Sequence, residues 1–171
     1  MAVLKRDRFL VSAIGKLNAS PADRATSSAR QQGERHMHEP DTIRTADLPW
    51  LPLAPRVYVK IIKLVPETGG FSVMIRAEPG ATLPRHQHIE SAEIYILKGS
   101  GHHPQTGSYG PGDYVSERKG AIHDELPFDE ETELLMICNG PSGFLGPNNE
   151  VRYMMDIPML QELSKYAPVR S

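Results

Sequence analysis

Gly80-Ala-Thr-Leu-Pro-Arg-His86-Gln-His88-Ile-Glu-Ser-Ala-Glu93-Ile-Tyr-Ile-Leu-Lys-Gly99 is the stretch on which the reading of this chain turns. Side chains alternate across a strand, so His86 and His88 share one face, the spacing at which two imidazoles reach one ion from a single strand. If the chain turns at Ile89–Ala92, Glu93 begins the next strand. There Glu93, Tyr95 and Leu97 take one face and Ile94 and Ile96 the other. The expectation is that both strands aim polar groups into one cavity. A third histidine, His123, follows Gly120 and completes a candidate metal site. Imidazoles with or without a carboxylate suit iron, manganese, zinc, nickel or copper.

Outward from this stretch the sequence is short β-text. Val57–Val65 and Phe71–Ala77 are rich in β-branched residues and are separated by Pro66-Glu-Thr-Gly-Gly70, which predicts an antiparallel pair. Arg85–His88, Ile94–Leu97, Tyr114–Glu117 and Leu134–Cys138 read as further strands, divided by Gly99-Ser-Gly101, Gly110-Pro-Gly-Asp113 and Asn139-Gly-Pro141. Strands at this spacing without helical periods between them mean an all-β sandwich or small barrel. Asp47–Pro55 is apolar and broken by prolines, which confines it to an extended edge or loop. Its Trp50 is expected to pack at one mouth of the core or at a subunit interface. Met159–Tyr166 carries apolar residues at helical spacing, predicting one short C-terminal helix after Pro158, stopped by Pro168. The expected division is a flexible tail over 1–45, a barrel over 46–145 and a C-terminal extension over 146–171.

The tail is small, polar and charged, and Met37, just before the domain-like text, is a candidate start. His36 and His38 have metal-like spacing, but without strand patterning they read as solvated. Lys5–Arg8 followed by Phe9–Ile14 has the order of an export signal, yet the apolar run is very short and Lys16 interrupts it. A cytoplasmic protein is expected, in keeping with a single cysteine, Cys138, which excludes an intrachain disulfide. No run nears the ~18 apolar residues of a membrane span. The net charge of −2 carries no basic stripe with interleaved aromatics, which argues against a nucleic-acid partner.

The histidine spacing resembles that of the cupin superfamily. Its first motif, G-X5-H-X-H-X3–4-E-X6-G, is met by Gly80, His86, His88 and Glu93, with the closing glycine one residue early at Gly99. Its second, G-X5-P-X-G-X2-H-X3-N, maps onto Gly112, Gly120 and His123 with every interval kept. Arg118 stands in place of the proline and Pro127 in place of the asparagine. The resemblance covers roughly residues 47–141 and implies a double-stranded β-helix, or jelly-roll barrel. Within the superfamily the chain is similar to small dioxygenases of the 2,4′-dihydroxyacetophenone- and acetylacetone-cleaving type. The likeness lies in Leu48-Pro-Trp50, Thr68-Gly-Gly70, Arg76 before Pro79-Gly80, Tyr95-X-Leu97-X-Gly99, Gly112-Asp-Tyr-Val-X-Glu117 and Asn139-Gly-Pro141.

That resemblance implies Fe(II) on His86, His88 and His123, with O2 and a small carbonyl compound as partners. Glu93 would be a fourth ligand in a general cupin and a hydrogen-bond acceptor behind the ligands in this type. Glu117 or Glu93 would be the base, and Tyr95 and Arg76 would orient an enolate. Only one of His102 and His103 can face inward, and exposure is the expectation for the pair. A homo-oligomer, dimer or tetramer, is expected from open barrel edges and the Pro-rich arm. The competing reading is a non-enzymatic sensor or small-molecule-binding cupin, with zinc closed by His86, His88, Glu93 and His123. A sugar isomerase ranks last, since it leaves three histidines unexplained.

Overall fold

The computed structural model describes residues 41–166. The expectations for the tail up to residue 40, for His36, His38 and Met37, and for Pro168 lie outside those residues. After a 3-10 turn at Thr45–Asp47, the chain forms β1 (Leu51–Ala54), β2 (Val57–Val65), β3 (Gly70–Ala77), β4 (Ala81–Leu83) and β5 (His86–His88). Then come β6 (Ala92–Lys98), β7 (Gly101–His103), β8 (Gly107–Tyr109), β9 (Tyr114–Glu117), β10 (Ile122–His123) and β11 (Leu126–Phe128). The chain closes with β12 (Thr132–Cys138), β13 (Ser142–Leu145), β14 (Val151–Met155) and one helix, α1 (Ile157–Ser164).

The long strands assemble in the order β1-β2-β3-β12-β6-β9, and the expected pairing of β2 with β3 is antiparallel, from Val57↔Ala77 to Val65↔Gly70. Alternation decides which face is buried. Val57 and Val59, then Phe71, Val73, Ile75 and Ala77, then Leu134, Met136 and Cys138 all turn inward, and Ser72, Met74 and Arg76 turn out. Each fully buried Val or Phe contributes about 1.5–3 kcal/mol. A second sheet, β10-β5-β13-β14, is built of much shorter strands. Its inward positions include His86, His88, His123 and Ser142, so the six-stranded sheet carries most of the apolar burial. Two small ladders, β11-β4 and β7-β8, complete the structure. The result is an all-β barrel with a short C-terminal helix.

Two expectations are adjusted. The helix begins at Ile157, before Pro158, because proline is tolerated in a first turn where its missing N–H would have no partner anyway. Asp156 caps it, its side chain accepting from Met159 N at 2.9 Å, and Ile157 and Leu160 bury one face against the barrel. Trp50 does not seal the core. It lies on the outer face of the large sheet, with Lys60 Nζ 4.7 Å and the Arg76 guanidinium 4.6 Å from its ring, the spacing of cation–π contacts.

Candidate metal centre

His86 pairs with His123 on one side and with Phe144 on the other, so these three residues form one row across β10, β5 and β13. Residues in such a row point the same way. His88, two residues on, pairs with Ser142 and points inward with them. Gly120 sets up the third member. Its φ of +81° is a left-handed conformation that glycine adopts without strain, and its N–H is held by His88 O at 2.7 Å. The turn therefore delivers His123 alongside β5.

The three imidazoles form a nearly equilateral group, with centroids 5.1 Å apart for His86–His88, 5.0 Å for His86–His123 and 5.1 Å for His88–His123. One nitrogen from each lies within 4.8 Å of the others, and exposures of 6%, 2% and 3% leave the rings no bulk water. His86 Nδ1 lies 2.9 Å from Pro84 O, and a carbonyl only accepts, so Nδ1 carries the proton and Nε2 keeps a free lone pair. His88 Nδ1 lies 3.4 Å from Ser142 Oγ, a longer contact to a hydroxyl that can either donate or accept. Burial is the main reason that His86 and His88 titrate at about 4, with the neighbouring histidines adding to it. Both are neutral, the form a metal requires, in ordinary buffers.

The fit to a cation is also visible in what lacks a partner. Both ring nitrogens of His123 and Oε1 of Glu117 are buried without a hydrogen bond. Leaving such a group unsatisfied costs about 1–3 kcal/mol, and an ion bound to one of the two His123 nitrogens would remove the penalty at that atom. His123 Nε2 does come within 3.0 Å of Glu117 Oε2, but the approach lacks hydrogen-bond alignment.

Glu117, on β9, is 4% exposed and sits opposite Ala92, whose small side chain leaves room for an inward carboxylate. Burial pushes its carboxyl up, yet the nearby His123 ring, with His88 and His103, outweighs burial and holds it below the ordinary value. His103 is the member that the sequence reading undervalued. It is buried, not exposed, with its ring centroid 4.6 Å from that of His123 and Nε2 3.9 Å from Glu117 Oε1. His103, Glu117 and His123 form a second group of metal-ligating type sharing His123. The usable signal was alternation within Gly101-His-His103, which lets one ring face in. Burial lowers the pKa of His103 as well.

Glu93, Tyr95 and Arg76 are not in this cavity. Glu93 takes a hydrogen bond from the Tyr114 hydroxyl and faces Ser116 on the outer side of β6 and β9. Tyr95 is 44% exposed on that same face, and Arg76 lies over Trp50 and Tyr58 on the outer side of β3. The sharing of a face by Glu93, Tyr95 and Leu97 is as expected, but the face is the outer one. Ile94 and Ile96 are the apolar set of that strand, and they take the interior. The pocket that remains has about 400 Å³, its open mouth included. It is lined by His86, His88, His103, Glu117 and His123 against an apolar wall that includes Ile94 and Phe128.

A barrel of this build with inward histidines defines a cupin. Residues 38–143 match the ChrR cupin-like domain, and the chain belongs to that family. It is 29% identical over 92 residues to the acetylacetone-cleaving enzyme of Acinetobacter johnsonii, a match spanning 50% of this chain and 60% of that enzyme. Among solved structures it is similar to an acetylacetone dioxygenase from Acinetobacter johnsonii, with a TM-score of 0.67 and 18% identity, over 73% of this chain and 91% of that one. An RmlC-like cupin protein from Ralstonia eutropha JMP134 superposes with a TM-score of 0.70 and 21% identity, over 77% of this chain and 89% of the other. These superpositions establish the fold. No helix among the described residues is long and apolar enough to cross a membrane.

Proposed function

We propose that the protein is a metal-dependent dioxygenase that cleaves a carbon–carbon bond beside a carbonyl in a small hydroxyketone or diketone, with Fe(II) held by His86, His88 and His123. The observation that carries this reading is the trio of buried imidazoles lining a small apolar pocket, with a buried carboxylate beside them. Relatedness to an acetylacetone-cleaving enzyme supports the reaction class. Manganese, zinc or nickel fits the same donors, and the oxygen chemistry is what favours iron.

When bound, the metal supplies a Lewis acid that acidifies the chelated substrate and a centre for oxygen chemistry. The remaining work falls to the chain. Glu117 is ionised and within the pocket, so it is the base that takes the proton of the enolising substrate. The apolar wall excludes water from the resulting enolate. The carbon–carbon bond breaks and each new end gains an oxygen, so that R–CO–CH2OH and O2 become two carboxylic acids.

The zinc-sensor reading that closes the site with Glu93 is not favoured, since Glu93 bonds to Tyr114 on the opposite face. Protein purified without chelators should contain iron and consume oxygen with one of a set of small hydroxyketones and diketones. Iron-loaded protein that is inert toward the whole set would reject the reaction and leave the metal site standing. We further propose a cytoplasmic homo-oligomer. Tyr95, Leu97, Tyr114 and Ile137 expose apolar surface on the outer face of β6, β9 and β12 and supply the contact.

A further inference from the structure

His103 reaches the pocket from an unusual place. Strands β7 and β8 pair only with each other, and the hairpin leaves and rejoins the barrel at Gly99-Ser-Gly101 and Gly110-Pro-Gly112. Ser100 N donates to Glu130 Oε1 at 2.7 Å, and Gln105 Nε2 donates to Asp124 Oδ2 at 3.1 Å, which ties the hairpin to the rim. Inside its turn, the backbone N–H groups of Gln105 and Thr106 both donate to His103 Nδ1, each at 3.2 Å. Two donors on one ring nitrogen require a lone pair there. The proton of the neutral ring is therefore on Nε2, the opposite arrangement from His86, whose Nδ1 faces a carbonyl.

A ring nitrogen that carries a proton has no lone pair for a metal. His103 Nε2–H instead faces Glu117 Oε1 across 3.9 Å, too long for a direct hydrogen bond, and Oε1 has no partner. The gap suits one oxygen atom. With hydrogen bonds of about 2.8 Å to each side, an oxygen there would see its two partners at an angle of about 90°. It would accept from His103 and donate to Glu117, which only a hydroxyl or a water can do.

We propose that His103 is not a metal ligand but a substrate-positioning donor, paired with Glu117 to hold a hydroxyl of the substrate. The non-ligand half needs only a bound ion, and the hydroxyl half rests on the hydroxyketone reading above. The test uses the full chain loaded with zinc, a diamagnetic ion that permits NMR and no turnover. Long-range 1H–15N spectra should show His103 with its proton on Nε2 before and after zinc is added. His103→Gln should bind zinc within about twofold of the unaltered protein, whereas His86→Ala should lose it. Disappearance of the His103 Nε2 proton on adding zinc, or loss of zinc from His103→Gln, would overturn the non-ligand assignment. Hydroxyacetone should bind the zinc form about tenfold more tightly than methoxyacetone, whose capped oxygen cannot donate to Glu117. His103→Ala should weaken hydroxyacetone about tenfold, and His103→Gln, which restores an N–H donor, should recover most of it. Equal binding of the two ketones, binding of neither, or no effect of His103→Ala would overturn the hydroxyl role. Oxygen uptake by the iron form is read separately, so failure of the dioxygenase reading stays distinguishable.

Discussion

Strands β5 and β6 lie next to each other in the chain and treat their polar residues in opposite ways. In His86-Gln87-His88 the outer pair points into the barrel, and in Glu93-Ile94-Tyr95-Ile96 the polar set points out. The reason is competition for the interior. On β6 the isoleucines outbid a carboxylate and a phenol, because burying them is favourable and burying an unpaired charge is costly. On β5 no apolar side chain competes, so cross-strand neighbours decide. Phe144 and Ser142 hold the histidines to the inner face. A polar residue on a strand thus has a functional direction only relative to its apolar neighbours.

Breaking the inward set should have the largest effect. His86→Ala or His123→Ala should lower metal content and cut metal affinity by more than the ~10–100-fold that loss of a partner behind a ligand costs, measured by elemental analysis and zinc titration. Glu117→Gln should keep the metal and lower kcat by about 100-fold or more, the size of a lost general base. Retained turnover there would remove Glu117 from the chemistry.

Acid should act on the inward set as well. Burial lowers His86 and His88 to about 4 in the folded protein, so between about 4 and the ordinary 6.5 the unfolded chain binds more protons. Stability of the metal-free protein should therefore be fully present above pH 6.5 and decline as pH falls toward 4. Thermal melts in a chelator across that range measure it, and a flat profile would contradict neutral buried rings.

Changes to the outward set should be small. Glu93→Ala should leave metal content unchanged and turnover within about twofold, with stability altered by about 1 kcal/mol or less, as for an exposed polar contact. Smaller still for the chemistry, Leu97→Ser should shift the protein toward monomer in sedimentation velocity without altering zinc affinity.

Much of this was legible beforehand. The β-branched runs at Val57–Val65 and Phe71–Ala77, the turn glycines and the spacing of His86, His88 and His123 carried the barrel and the trio, because alternation and turn chemistry are local. What failed was the direction of Glu93. Strand period is two, so one residue more or less between His88 and the carboxylate reverses its face. Ala92, one residue earlier, is the inward position and is fully buried. The apolar alternation of Ile94 and Ile96 already contained that answer, and the motif's tolerance of three or four intervening residues concealed it. His103 was harder to see. Its inward direction depends on a self-paired hairpin and on two backbone amides within the turn, a tertiary arrangement that spacing does not encode.

Cys138 gives the molecule a practical property. The chain's single thiol lies buried on β12, and burial pushes its pKa up to about 12, so almost none of it is thiolate at neutral pH. Thiol-directed labels therefore meet a silent background. A single substitution such as Gln105→Cys would place one dye or spin label on the β7–β8 turn with no need to remove the native cysteine.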